Sequence, residues 1–425
     1  MGCCRRTWGS LLPGGTPTPA SPSLRIPFII RYVLVPENEG RIENEDDLDH
    51  MTIKFDYTKA DAMAMPVTPV DPAAFDLTRY EAFAAAADQR YAEFLRKSEG
   101  VAIWQRVRVG EVFRDQCRDM KQSLRWQLGG LTRAMDYLTD APAYLEPWYG
   151  IGTAAAAFGA EYEWLPGQSP AVKPVYRTIE EIPELSPREV ADAPILRYTL
   201  ETIEYFLEQT QGRVPISWCD IQSPINVAGG LVDITRFLMA FHDEPDRTKA
   251  ILSVLADEVI RFTKIQSGLI GDALARPGHG FASSRAGTGI GLSTDNLIMV
   301  SPAMYTDFCA EHSARIGENF GGTAIHSCGN WGRWLPAVKQ IRNLIMVDGA
   351  FSPQTDPAYN RCEEFRDALA GSGIILHVRI VGGPEEVLAR VKRLWKPGLK
   401  LIVGTHVQDP KAQHQLYHDI HRMCG

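Results

Sequence analysis

His326-Ser327-Cys328 sets an imidazole and a thiol two residues apart. The pair follows the short apolar run Gly322-Thr323-Ala324-Ile325 and leads into Gly329-Asn330-Trp331. Side chains two apart on a strand share a face, so both groups would project from its C-terminal end. Both are zinc ligands, and both can serve acid/base or nucleophilic chemistry. Neighbouring segments end in polar groups too. Asp220 follows 214–219, with Trp218 two residues earlier on the same face. Asp295 follows 290–294, Asp348 closes 344–348, and His406 follows 400–403. Three carboxylates and two imidazoles at successive strand ends make an acid/base or metal-binding constellation, provided the strands share one mouth.

The pattern of elements supplies that condition. Helical spacing begins near Thr78 and continues through Tyr80, Phe83, Ala87, Tyr91, Phe94 and Leu95. Strands are expected over 101–107, 214–220, 290–293, 323–326, 344–348, 373–378 and 400–403. Helices are expected over 120–138, 225–241, 246–270, 302–320, 331–341, 362–370 and 384–394. Strand–helix alternation implies a parallel sheet, and the span from 78 to 425 suits one (β/α)8 TIM barrel. The fold class is therefore α/β, a single-domain barrel. An open doubly wound sheet would open on a glycine-rich phosphate turn leading into a helix. Gly287-Thr288-Gly289-Ile290-Gly291 instead runs into a strand, so no nucleotide cofactor is expected.

The chain has 425 residues, 45% of them hydrophobic, which allows a sizeable core. A formal net charge of -8 argues against a nucleic-acid partner, which needs a basic footprint. Eight scattered cysteines with no CxxC pair fit a reducing, cytoplasmic compartment better than a disulfide scaffold. No apolar run approaches the roughly 18 residues of a spanning helix, so no membrane role is expected. The domain reading has three parts. Residues 1–50 form a disordered or misannotated extension, 51–99 a lead-in segment and helix, and 100–425 the barrel. Residues 1–35 are basic, transit-peptide-like in composition, and 36–50 acidic. An artefactual upstream start, with Met51 the true one, is the favoured account.

Other residues invite a role and have plainer explanations. His414, His418 and His421 share a helical face opposite Leu416, Ile420 and Met423 and read as solvated. Cys219 and Cys309 read as small buried apolar groups. Arg125, Trp126, Arg133 and Arg333 could meet an anionic substrate, though nothing in their spacing requires it.

Several of these segments resemble the uroporphyrinogen decarboxylase superfamily, which includes zinc-dependent corrinoid methyltransferases. The resemblance is carried by Thr294-Asp295, Ser301-Pro302-Ala303-Met304-Tyr305, Ile325-His326-Ser327-Cys328-Gly329-Asn330, Val381-Gly382-Gly383-Pro384-Glu385-Glu386-Val387 and Val403-Gly404-Thr405-His406-Val407. It implies a barrel with a deep cleft at the strand C-termini. For the methyltransferase branch it implies zinc at His326 and Cys328, with His406 where that branch has a later cysteine. For the decarboxylase branch, His406 resembles a histidine of the last strand, and Glu146 stands loosely where an orienting acid is expected. Trp104-Gln105-Arg106-Val107-Arg108 departs from that branch's arginine-rich run.

The resulting expectation is a methyltransferase-like enzyme acting on a small molecule, with a thiol or corrinoid methyl carrier and Zn2+ as cofactor. Asp295, Asp220 and His406 are its catalytic candidates. Trp218, Glu146, Tyr149 and Asp348 are its substrate-binding candidates, and a corrinoid protein and a second copy of the chain its candidate partners. Uroporphyrinogen decarboxylase itself, and a non-catalytic barrel that presents its cleft to a corrinoid protein, are the alternatives.

Overall fold

The computed structural model describes residues 63–425. The expectations for residues 1–50, for Met51 and for the start of the lead-in lie outside the described residues. The regular fold opens with the helix Leu77–Arg96, capped by Asp76, whose side chain accepts the Arg79 N–H. Tyr80, Ala84, Ala87, Tyr91 and Phe94 form its buried stripe, as the spacing requires.

Eight strands follow: β1 Gly100–Gln105, β2 Glu161–Glu163, β3 Ala171–Lys173, β4 Ile290–Ser293, β5 Thr323–His326, β6 Leu344–Ala350, β7 Ile375–Ile380 and β8 Lys400–Thr405. β2 and β3 form an antiparallel hairpin that the sequence did not announce. The other six make one parallel sheet in the order β1-β8-β7-β6-β5-β4. Segments near Leu145 and Ile216 take the two remaining places. They make single parallel bridges, Leu145 with Ile216, Ile216 with Leu274, and Gln222 with Ser293. The result is a (β/α)8 barrel with six regular staves and two irregular ones. Pro142 and Pro147 flank one irregular stave and Pro215 lies in the other. Proline donates no ladder hydrogen bond, so the expected strand over 214–220 is reduced to a bridge.

Parallel register stacks the inward side chains in layers. Ala324, Met346 and Ile375 lie across adjacent strands at the lower level. Phe281 packs into the same interior cluster, where a Cβ on Gly291 would come within 2.5 Å of its ring. Ile325, Val347, Leu376, Val378, Leu401 and Val403 alternate outward into the main helix-covered core. The helical expectations hold with local breaks. The span 225–241 divides into Pro224–Leu231 and Ile234–Asp243, and Asp233 caps the second piece. The helix from Pro302 widens through a π turn at Thr306–Ala310 and ends at Glu318. Pro194–Thr210 adds a helix that the reading did not include. No helix among the described residues is long and apolar enough to cross a membrane.

The seam between β1 and the C-terminal helix Pro410–Cys424 corrects the reading of its histidines. Asp140 is buried and accepts the Ile103 N–H of β1 at 2.7 Å. The same carboxylate meets Tyr417 OH and His421 Nε2, the latter at 2.9 Å. His414 Nε2 lies 3.1 Å from the Asp136 carbonyl. Only His418 of the three is exposed. Removing one partner from a buried, charge-assisted network leaves its donors unpaired and costs several kcal/mol. Asp140→Ala is expected to lower unfolding stability by about 3 kcal/mol, read as a lower denaturant midpoint at unchanged m-value.

Candidate metal centre

One inward layer of the barrel carries the polar chemistry. In register, Ser293 of β4 faces His326 of β5, His326 faces Asp348 of β6, and Asp348 faces His377 of β7. Asp348 is fully buried and binds both imidazoles. His326 Nδ1 contacts its Oδ1, and His377 Nδ1 lies 2.9 Å from its Oδ2. Arg379, two residues beyond His377 on the same face, donates Nε–H to both carboxylate oxygens at 3.0 and 3.1 Å. Burial alone would favour the neutral acid, but Arg379, His326 and His377 outweigh it and hold the Asp348 carboxyl well below its usual range. Burial works against a charged His326 too. Asp348 and Asp295 overcome it, and its pKa stands well above the ordinary value.

With Nδ1 engaged, His326 presents Nε2 to the barrel mouth. Nε2 lies 3.5 Å from Asp295 Oδ1 and 3.6 Å from Cys328 Sγ. Asp295, His326 and Cys328 place their ligand atoms within 4.8 Å of one another. A tetrahedral zinc site with bonds of about 2.0–2.3 Å has ligand–ligand edges of about 3.3–3.8 Å. The two measured contacts match such edges, and the carboxylate behind His326 is the usual outer support of a zinc-bound imidazole. The donor set therefore fits zinc with one position left for a substrate atom. Asp295 also accepts the Cys328 N–H at 2.8 Å. Despite its burial, contacts with His326 and Cys328 hold its pKa down to about 2. Burial and the Asp295 charge push the Cys328 thiol up.

The remaining candidates fall in different places. The third donor brought to His326 and Cys328 is Asp295, not His406, which is buried one residue past β8 and outside the three-ligand group. Asp348 is committed to His326, His377 and Arg379. Trp218 donates its indole N–H to Ser267 on the helix Pro245–Ile270, at 2.9 Å. Tyr149 pairs with Thr202 at 2.6 Å. Asp220 and Glu146 do come together, through His279, which the sequence reading passed over. His377 and Arg379 were missed as well, although His-x-Arg on a strand carries the same two-residue signal as His-x-Cys. Arg125 pairs with Asp71, Arg133 holds the Pro66 and Gln408 carbonyls, and Arg333 stacks on Trp334. Arg106 and Arg108 are the arginines that line a cavity of about 50 Å³, with Trp104, Phe113 and Glu146. Cys219 and Cys309 are buried as expected, and burial pushes the Cys219 thiol up to about 12.

Residues 106–277 match the family model described as uroporphyrinogen decarboxylase (URO-D). Over that segment the chain is similar to the uroporphyrinogen decarboxylase family. No curated protein matches it. Among solved structures, a methyltransferase from Methanosarcina mazei superposes with a TM-score of 0.55, at 14% sequence identity. The superposition covers 80% of this chain and 98% of that one. At that identity the likeness is one of fold. The superfamily match covers Arg106, Glu146 and Asp220, while Asp295, His326 and Cys328 lie beyond it.

Loss of an outer carboxylate typically weakens metal binding 10- to 100-fold. Asp348→Asn is expected to weaken zinc binding by roughly that factor, measured by competition with a chromophoric chelator, with circular dichroism confirming the fold.

Proposed function

We propose that this protein is a zinc-dependent methyltransferase that transfers a methyl group to or from a thiol, with a corrinoid or a small methylated compound as the other methyl carrier. The observation that carries the reading is the Asp295, His326 and Cys328 donor set, with edges of 3.5 and 3.6 Å and Asp348 behind the imidazole. Zinc held there would lower the pKa of a thiol in the open position and keep it as a thiolate.

The protein's own groups divide the remaining tasks. His326 offers Nε2 because Asp348 engages Nδ1. Arg379 balances the buried Asp348 charge, so the support can stay ionised. Asp295 fixes the Cys328 backbone as well as offering a ligand oxygen. Gly329 N–H donates to Asp356 at 2.8 Å and Trp331 N–H to Asn360 at 2.9 Å, which anchors the loop beyond the thiol. A small molecule, a corrinoid carrier and a second copy of the chain are the partners of this reading, and the scattered cysteines suit a reducing, cytoplasmic compartment.

Arg106 and Arg108 beside the Glu146 cavity favour a second reading, decarboxylation of a polycarboxylate such as a porphyrinogen. Metal content separates the two. Purified protein is expected to hold about one zinc per chain by elemental analysis. Cys328→Ala and His326→Ala should each lose it. Chelation should abolish methyl transfer from methylcobalamin to 2-mercaptoethanol, and added zinc should restore it. A zinc-free protein that decarboxylates a porphyrinogen would overturn the methyltransferase reading. A zinc-replete protein inert with every methyl donor would favour a binding barrel.

A further inference from the structure

A second cluster of ionisable groups stands outside the metal triad, centred on His279. It lies in Pro277-Gly278-His279-Gly280, where both glycines take positive φ, 130° and 77°. The turn is tied in place. Ser283 Oγ accepts the Gly278 N–H at 3.1 Å, and Tyr144 OH meets the Gly278 and Phe281 carbonyls at 2.9 and 3.0 Å. The imidazole is thereby set between two carboxylates. Nδ1 lies 2.5 Å from Glu146 Oε2, and Nε2 lies 3.7 Å from Asp220 Oδ2.

Each carboxylate is positioned independently of the histidine. Gln127 clamps the Glu146 backbone, donating to its carbonyl at 2.8 Å and accepting its N–H at 2.7 Å. Asp220 Oδ1 accepts Gln222 Nε2–H at 2.7 Å and Ser293 Oγ–H at 3.1 Å, which leaves Oδ2 toward His279. Phe113 and Trp148 cover the imidazole at ring distances of 5.7 and 6.3 Å. The charged groups facing the cluster are Arg106 and Arg108. Burial would raise the Glu146 carboxyl, but His279 and these two arginines keep it below its ordinary value. Glu146 is therefore an anion set against Nδ1, which leaves Nε2 as the ring nitrogen a ligand can reach. The 3.7 Å separation from Asp220 exceeds hydrogen-bond length, so Nε2 can take a proton from a ligand. The cluster adjoins the metal centre through Ser293, which holds Asp220 and pairs in register with His326.

We propose that His279 is the proton acceptor for the thiol that enters the barrel mouth. The S–H bond breaks, its electron pair stays on sulfur, and the proton forms a new N–H bond at Nε2. Glu146 and Asp220 then flank the imidazolium and stabilise it. The inference rests on the thiol reading of the function and assigns its proton to a group that the metal donors do not include.

The test uses zinc-replete protein, with zinc content fixed by elemental analysis, titrated with 2-mercaptoethanol by calorimetry. Two buffers of different ionisation heat give the protons released per thiol bound. The wild type is expected to retain most of the proton. His279→Gln should release about one proton per thiol and bind roughly 10- to 100-fold more weakly, the loss expected for a charge-assisted contact. Glu146→Gln keeps the imidazole but can donate to Nδ1, moving the ring proton to Nε2. It should release the same proton as His279→Gln. Unchanged zinc content in both variants would show an intact site. Equal proton release in all three proteins would overturn the proposal. So would a zinc-replete wild type that binds no 2-mercaptoethanol, with the metal reading left standing. A protein that cannot be loaded with zinc defeats the metal reading and this proposal with it.

Discussion

The Asp348 carboxylate is the interaction on which the polar interior depends. It is fully buried, and one side chain joins His326 of β5 to His377 and Arg379 of β7. A buried carboxylate without partners would be neutral or strongly destabilising. Three cationic or donor groups around it make the charge tolerable and fix two imidazoles at once. The arrangement requires the β5–β6–β7 register, because a slip of one residue would turn Asp348 out toward the helices. Val347, Leu376 and Val378 on the opposite face resist that slip, since it would bring them into the polar layer.

Beyond the strand ends, order passes from ladders to side-chain clamps. Asp295 holds the Cys328 N–H, Asp356 the Gly329 N–H and Asn360 the Trp331 N–H. The thiol therefore sits on a loop whose backbone is held from two sides. Preorganisation of this kind keeps the ligand atoms of Asp295, His326 and Cys328 within 4.8 Å of one another without help from a ladder.

The barrel is regular where the metal donors lie and irregular where the carboxylates around His279 lie. Prolines deprive the staves near Leu145 and Ile216 of continuous pairing. Glu146 and Asp220 emerge from those staves, and Gln127, Gln222 and Ser293 supply the positioning that the ladder does not. The superfamily match over 106–277 covers this irregular half and ends before the metal donors. Ser293 couples the halves, bonded to Asp220 on one side and paired with His326 on the other.

The sequence by itself determined the barrel, most of its regular strands and the place of His326 at the end of one of them. Those features follow from periods of 2.0 and 3.6, which are local properties of the chain. The tertiary structure decided the partners. Asp295 rather than His406 lies with His326 and Cys328, Asp348 binds His326, His377 and Arg379, and Trp218 turns to a helix. His279 meets Glu146 and Asp220 across 133 and 59 residues, and His421 reaches Asp140 across 281. Local periodicity sets which face a side chain takes. Which residue it meets there depends on strand register and loop closure, and those are settled only when distant segments pack together.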